Sequence, residues 1–233
     1  MGRSVGGLTG VPGRSGATNH GFVLHGSPHS LPTYRVALML RLCGVGFRFR
    51  YVSFQRRMHL TPEFRTLSRW AQVPVLEHAG RVLLQSAAIL EYLSESLDRF
   101  RGDAAARQDI REWLFWDADR LYPPLYGWYS VSLGRRGLLP LPFDDAVVAR
   151  WQTLGETALA VLHAHLATRQ FLVGAEPTIA DIASYGDIAF AQLSGRDLVE
   201  WPNVTAWAGR IEALHGFAAP FDLLAMQDAE ITP

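Results

Sequence analysis

Residues Gln72 to Leu93 restrict the fold more than any other stretch of the chain. Val73-Pro74 leads into a short strand, Val75 to Glu77. His78-Ala79-Gly80 is a tight turn, with Gly80 suited to positive φ. Arg81 to Leu84 returns as a second strand. Gln85-Ser86 then opens a helix, with Ser86 as N-cap and Ile89, Leu90 and Leu93 on one face. A hairpin that runs straight into a helix N-terminus leaves backbone N–H groups pointing outward. The neighbouring proline can fix a strained turn beside them. That arrangement suits a small anion.

The preceding residues supply the rest of a small α/β unit. Phe22 to His25 reads as a buried strand, and residues 26–32 as a loop. Thr33 to Cys43 forms a helix that is apolar on most sides and is stopped by Gly44. Phe47 to Phe54 alternates aromatic and Arg, a half-exposed strand that pairs in parallel with the first through a right-handed crossover. Thr61-Pro62-Glu63-Phe64 starts a short helix with Pro62 at its first position. The sum is βαβαββα, a thioredoxin-like domain over residues 21–96. Residues 97–103 read as a linker, and residues 104–233 as an all-α domain of four to five helices. Pro123-Pro124 must break or kink the first of them. Thr178-Ile179-Ala180-Asp181 is a capping box with Asp in place of Glu. Residues 1–20 contain six glycines and no acidic side chain, which reads as a disordered extension.

Composition removes several classes of chemistry. All 22 basic residues are arginine, so no lysine Schiff base and no phosphate-loop lysine exists. The single cysteine, Cys43, excludes a disulfide framework, a CxxC redox pair and a cysteine-based zinc site. Net charge is zero, so no basic field draws nucleic acid, and no apolar run is long enough to span a membrane. His163 and His165 stand two apart on a helix and share no face, which argues against a metal.

The stretch Val73-Pro74-x-Leu76, a hairpin, then Gln85-Ser86-x-Ala88-Ile89-x-x-Tyr92-Leu93, resembles the cytosolic glutathione transferases. The likeness extends upstream to Phe22 and more weakly downstream to about residue 220, and it includes the Thr-Ile-Ala-Asp box. It implies a cis bond at Pro74, glutathione as co-substrate without a metal, a homodimer, a cytoplasmic location and a role in detoxification. The serine-type members, bacterial and plant-like, place a thiol-activating Ser five residues before an Arg-Val pair. Ser30 stands five residues before Arg35-Val36. The resemblance makes Ser30 the catalytic donor to the glutathione sulfur. Read from the residues alone, Ser30 is equally a helix N-cap, and Ser27 and Tyr34 are alternative donors. The resemblance also implies that Ser86 and Gln85 hold the γ-glutamyl carboxylate. Val73, before Pro74, pairs its backbone with the cysteinyl unit, and Gln72 completes the motif with Ala71 where the family has Gly. His59 aligns with a His that holds the glycyl carboxylate beside a Lys, but here the Lys position is Leu60; Arg56 and Arg57 are the nearby cations.

Seven aromatics fall within 17 residues between Trp113 and Tyr129, against 11% aromatic residues overall. From this cluster Trp113, Trp116 and Tyr122, with His29, are assigned to an apolar electrophile pocket; core packing is the alternative for each. Asp117 and Arg120 are expected to pair on one helical face. The function implied is addition of the glutathione thiolate to a small apolar electrophile. The alternatives are a non-catalytic module of the same fold used for protein interaction, favoured by Leu60 and Ala71, and a glutathione-dependent isomerase or dehalogenase.

Overall fold

Alternation of apolar and polar side chains sets the sheet. In β1 (Asn19–Gly26) Phe22 and Leu24 are buried on one face, while Val23 and His25 are half-buried on the other. In β2 (Gly46–Tyr51) Arg48 and Arg50 are exposed between half-buried aromatics. The computed structural model describes residues 19–139 and 143–224. The extension expected over residues 1–20 therefore lies outside the described residues, except for the last two, which begin β1. Strand β1 pairs in parallel with β2, matching Phe22 with Phe47 and Leu24 with Phe49. On its other side β1 runs antiparallel to β3 (Val75–His78), which forms the hairpin with β4 (Arg81–Leu84). The order is β2-β1-β3-β4. Ala79 and Gly80 both have positive φ, 49° and 75°, as the two central residues of this hairpin turn require.

Helix α1 (Leu31–Leu42) connects β1 to β2, α2 (Pro62–Leu67) follows, and α3 (Ser86–Leu97) leaves the hairpin. Helix α3 reaches Leu97, one residue into the expected linker. The second half of the chain is helical: α4 (Arg107–Trp116), α5 (Tyr122–Arg135), α6 (Asp145–Leu166), α7 (Ile179–Leu193), α8 (Pro202–Glu212) and α9 (Pro220–Leu223). The chain is thus a thioredoxin-like α/β domain followed by an all-α domain. The kink expected at Pro123-Pro124 takes a specific form. Both prolines lack an N–H, and the helix before them widens into a π turn, Asp117–Leu121, where the Tyr122 N–H reaches back to the Asp117 carbonyl. The capping box forms as expected: Thr178 caps α7, and the buried Asp181 carboxylate accepts from the Thr178 N–H at 2.8 Å. Asp181 also accepts from Leu172 N and Trp207 Nε1, so it ties three segments together.

The two domains meet along α1 and α7. Ten of the twelve residues of α1 are buried, because α3 covers one side and α7 the other. One of those ten is Arg35, 3% exposed. A charge there needs partners, and the second domain provides two. Arg35 Nη2 lies 2.9 Å from Asp117 Oδ2 in the π turn and also donates to Asp187 Oδ2 on α7. Gly186 makes room for it: a Cβ at that position would sit 2.9 Å from Arg35 Cγ. The pair expected between Asp117 and Arg120 does not form. Asp117 turns inward to Arg35, and the exposed Arg120 pairs with Asp119 at 2.7 Å.

The cluster holds one cation and two carboxylates, so one negative charge is in excess. Burial, and then the neighbouring Asp117, push Asp187 well above the usual carboxylate range, while Arg35 pulls it back. The sign of the linkage follows. The folded chain holds the Asp187 proton more tightly than the unfolded chain. This contribution to stability is full below the unfolded pKa, about 3.9, and is lost as pH rises through the folded value. Asp187→Asn leaves a matched Arg35–Asp117 pair; it is expected to cost less than about 1 kcal/mol at neutral pH and to flatten the fall of stability with rising pH. Arg35→Met leaves two buried carboxylates without their cation and is expected to cost about 3–5 kcal/mol. Denaturant unfolding between about pH 4.5 and 7.5 tests both; equal losses in the two variants would contradict this charge balance.

Candidate active site

A cleft of about 390 Å³ opens at the seam between the domains. From the first domain it is lined by Ser30, His59, Gln72, Val73, Pro74, Gln85 and Ser86, among others, and from the second by Asp117, Ala118, Tyr122 and Tyr126. Residues from four separate segments of the α/β domain are therefore brought together.

Ser30 sits where β1 hands over to α1. It is buried, has extended backbone (φ −96°), and its Oγ accepts from the Thr33 N–H at 3.3 Å. It is thus the N-cap of α1 and a wall of the cleft at once. The two roles do not compete. The oxygen accepts from the helix, and the hydroxyl hydrogen is left to donate; a bond from a backbone N–H makes that hydrogen a stronger donor. Ser27 and Tyr34 do not line the cleft. The Ser27 carbonyl accepts from Ser30 N at 2.9 Å, and the Tyr34 hydroxyl donates to the Ala218 carbonyl at 3.0 Å within the seam.

The Val73–Pro74 bond is cis. Ser68 secures the strand entry before it: its Oγ accepts from Gln72 N at 3.1 Å and donates to Gln72 O at 2.9 Å. Ala71, in this bend, has φ 52°, a left-handed conformation that explains why Gly is the family residue there. Beyond the hairpin Gln85 has φ 68°, and it, not Ser86, is the N-cap of α3. Ser86 is the first helical residue and makes no side-chain cap bond. The correction is one position, and its cause is the strained Gln85 backbone, which turns the chain into the helix a residue early. The first intrahelical bond of α3 runs from Ile89 N to Gln85 O at 2.9 Å. The N–H groups of Ser86 and Ala87, both in the cleft wall, precede it and have no helical partner. Gln85 Nε2 also reaches Gln72 Oε1 at 3.4 Å.

His59 lies in a single 3-10 turn, Met58–Leu60, edge-on to Phe54 at 5.2 Å. Its Nδ1 is buried and makes no hydrogen bond among the described residues. Burial first, and the nearby Arg57 second, lower its pKa, so it stands neutral near pH 7. Neither Arg56 nor Arg57 lines the cleft.

The second-domain wall differs from expectation. Tyr122 lines the cleft, with its ring 5.5 Å from the Arg35 guanidinium carbon. Burial pushes its phenol up to about 12 against the pull of Arg35, which keeps it a neutral donor. Trp113, Trp116 and His29 do not line the cleft. Trp113 packs edge-on to Trp116 at 5.1 Å and to His165 at 4.5 Å. Trp116 faces a groove toward Trp151 and Leu154 of α6. Both precede the π turn, which places them on another side of the helix from Tyr122 and Tyr126. His29 is turned into the second domain, with Nδ1 2.5 Å from the Tyr129 hydroxyl. Cys43 is remote from the cleft at the end of α1, and burial raises its thiol to about 11.

Several cleft residues escaped sequence reasoning: Arg35, Phe54, Ser68, Trp70, Asp117 and Tyr126. A signal existed for Arg35 alone. A charge set among apolar residues in mid-helix demands buried carboxylates, and few of the second domain's acidic residues fall in apolar surroundings.

A thioredoxin-like domain joined to an all-α domain, with a cleft at the seam beside a cis-proline, defines the architectural class. Residues 29–96 match the family Glutathione S-transferase, N-terminal domain, and residues 145–210 match Glutathione S-transferase, C-terminal domain. The mouse glutathione S-transferase theta-2 is 30% identical over 196 residues, covering 80% of this chain and 79% of the relative. A maleylacetoacetate isomerase of Rhizobium meliloti is 28% identical and covers 84% of this chain and 93% of its own. The crystal structure of a glutathione S-transferase from Xanthobacter autotrophicus superposes with a TM-score of 0.78 at 30% identity, over 87% of this chain and 98% of that one. The chain belongs to the glutathione S-transferase family and is a glutathione transferase-like enzyme.

The two serines are expected to separate in stability. Ser30→Ala removes a cap bond and should cost about 1 kcal/mol, whereas Ser86→Ala removes none and should cost less than about 0.5 kcal/mol. Thermal melting of the two variants checks this, and a larger loss for Ser86→Ala would contradict the cap assignment.

Proposed function

We propose that this cleft binds glutathione and activates its thiol for addition to a small apolar electrophile. The observation that carries the reading is the convergence of a helix-capping serine hydroxyl, a cis-proline backbone and unpaired helix N–H groups on one cleft. The γ-glutamyl carboxylate is assigned to Ser86 and the first-turn N–H groups of α3, with Gln85 and Gln72 beside it. The backbone of Val73 pairs with the cysteinyl unit. His59 donates to the glycyl carboxylate as a neutral imidazole, and its orphaned Nδ1 supports a ligand at that position. Leu60 in place of a lysine removes one charge-assisted bond, about 1.5–3 kcal/mol. Ser30 then donates to the sulfur.

A thiol of pKa about 8.5 is roughly 3% thiolate at pH 7, and at pKa about 6.5 it is roughly 75% thiolate. The lower pKa also weakens the nucleophile, with a slope of about 0.4–0.5, so much of the gain is returned. Orientation against the bound electrophile must supply the rest. The electrophile is assigned to the side of the cleft formed by Tyr122 and Tyr126, with Phe54 and Trp70 as apolar neighbours. Tyr122 keeps its assignment, and Tyr126 takes the place of the two tryptophans. A homodimer, a cytoplasmic location and a detoxifying role are drawn from the family likeness. The likeness to an isomerase favours a second reading, glutathione-dependent isomerisation in the same cleft.

Ser30→Ala is expected to raise the thiol pKa of bound glutathione by about one unit or more, as read from the ultraviolet absorbance of the thiolate. Conjugation near pH 6.5 should fall by about tenfold or more, with a loss that shrinks as pH rises. An unchanged thiol pKa would remove Ser30 from the mechanism.

A further inference from the structure

The electrophile-side helix α5 also reaches past the cleft to the residue before Ser30. The Tyr126 hydroxyl donates to the His29 carbonyl at 3.0 Å. That carbonyl belongs to the peptide unit whose N–H is Ser30's own. The other end of the same planar unit is held as well, because Ser30 N donates to Ser27 O at 2.9 Å. The His29–Ser30 peptide plane is therefore pinned at both ends, once by its own loop and once by the second domain. One turn further along α5, the Tyr129 hydroxyl meets His29 Nδ1 at 2.5 Å, and Phe221 of α9 packs edge-on to the same ring at 5.3 Å. The tyrosines are themselves locked: Tyr126 stacks on Tyr122 at 5.4 Å, and Tyr129 is 2% exposed with Phe190 edge-on at 4.8 Å.

We infer that Tyr126 is a positioning residue for Ser30, with Tyr129 in support, so that the serine donor is aimed only when the helical domain is docked on the first. The physical reason is geometric. With the peptide plane fixed, the Ser30 φ angle and the Thr33 N–H together determine where Oγ points. Removing the Tyr126 bond frees one end of the plane, and a small rotation there swings the hydroxyl away from the sulfur. Displacements of about 1 Å in such groups cost on the order of a hundredfold in rate. The inference rests on the assignment of Ser30 as thiol donor. Tyr126 also lines the cleft, so action through Ser30 must be separated from direct action on the thiol.

A double-mutant cycle on the thiol pKa of bound glutathione makes that separation. Tyr126→Phe keeps the ring and its stacking and removes only the hydroxyl. It is expected to raise the thiol pKa by about half a unit, which lowers the thiolate fraction about threefold at pH below both values. In a Ser30→Ala background the same substitution is expected to change nothing, because the group it positions is gone. Tyr129→Phe should give a smaller shift of the same kind, which also disappears with Ser30→Ala. A loss of packing alone would lower melting temperature without moving the thiol pKa, and that result overturns the inference. An equal pKa shift in both backgrounds overturns it too, by assigning Tyr126 to the thiol directly. If Ser30→Ala moves the pKa and Tyr126→Phe does not, the positioning role fails and the serine assignment stands. If Ser30→Ala itself moves nothing, the serine assignment has failed first.

Discussion

Arg35 determines how the two domains can meet. It is a permanently charged side chain in a helix of which ten of the twelve residues are buried. Its partners, Asp117 and Asp187, both come from the second domain. Each carboxylate sits in a helix with its own constraint: Asp117 is turned inward by the π turn that two prolines impose, and Asp187 lies on the nearly wholly buried α7. A buried ion cluster is weak evidence of net stability, because desolvation offsets attraction. Its effect is on specificity. Apolar seams tolerate sliding, whereas one guanidinium between two carboxylates allows one docking geometry. The cleft lies directly over this cluster, and its second-domain wall is the residue run that begins at Asp117.

The cleft offers an anion no available cation. Arg35 is committed to its carboxylates, His59 is held neutral, and the chain contains no lysine. The first-turn N–H groups of α3 and the positive end of its dipole remain for a carboxylate. The strained Gln85 backbone delivers those groups to the cleft wall; strain of this kind is tolerated where the surrounding structure over-determines it. The same economy holds at Ser30, which closes the N-terminal end of α1 and lines the cleft.

Most of the first domain was legible because its signals are local. The hairpin was set by two turn residues, the strands by alternation, and the cleft-forming segment by Val73-Pro74 and Gln85-Ser86. The second domain's contribution was not. Trp113 and Trp116 look like pocket residues by composition, but the π turn changes the helical phase between them and Tyr122, and no count of residues at a period of 3.6 anticipates a π turn. Asp117 was matched to Arg120 for a related reason: spacing gives the neighbour along the helix, while the true partner lies 82 residues away in sequence. His29 looked like a cleft residue because it adjoins Ser30, yet adjacent side chains diverge, and its ring lodges against Tyr129. Long-range pairing decided each of these cases, and a single sequence carries little of it.

Titration calorimetry with glutathione tests the cleft most directly. One glutathione per chain is predicted, with a dissociation constant of about 1 mM or tighter. By linkage, binding should weaken as pH falls from about 8.5 toward the lowered thiol pKa, and tighten again below it, where His59 gains a proton beside the glycyl carboxylate. It should weaken in Ser86→Ala, a variant whose fold is expected to be intact. Absence of saturable heat at concentrations well above that constant, in a chain that melts cooperatively, would contradict the assignment of this cleft to glutathione.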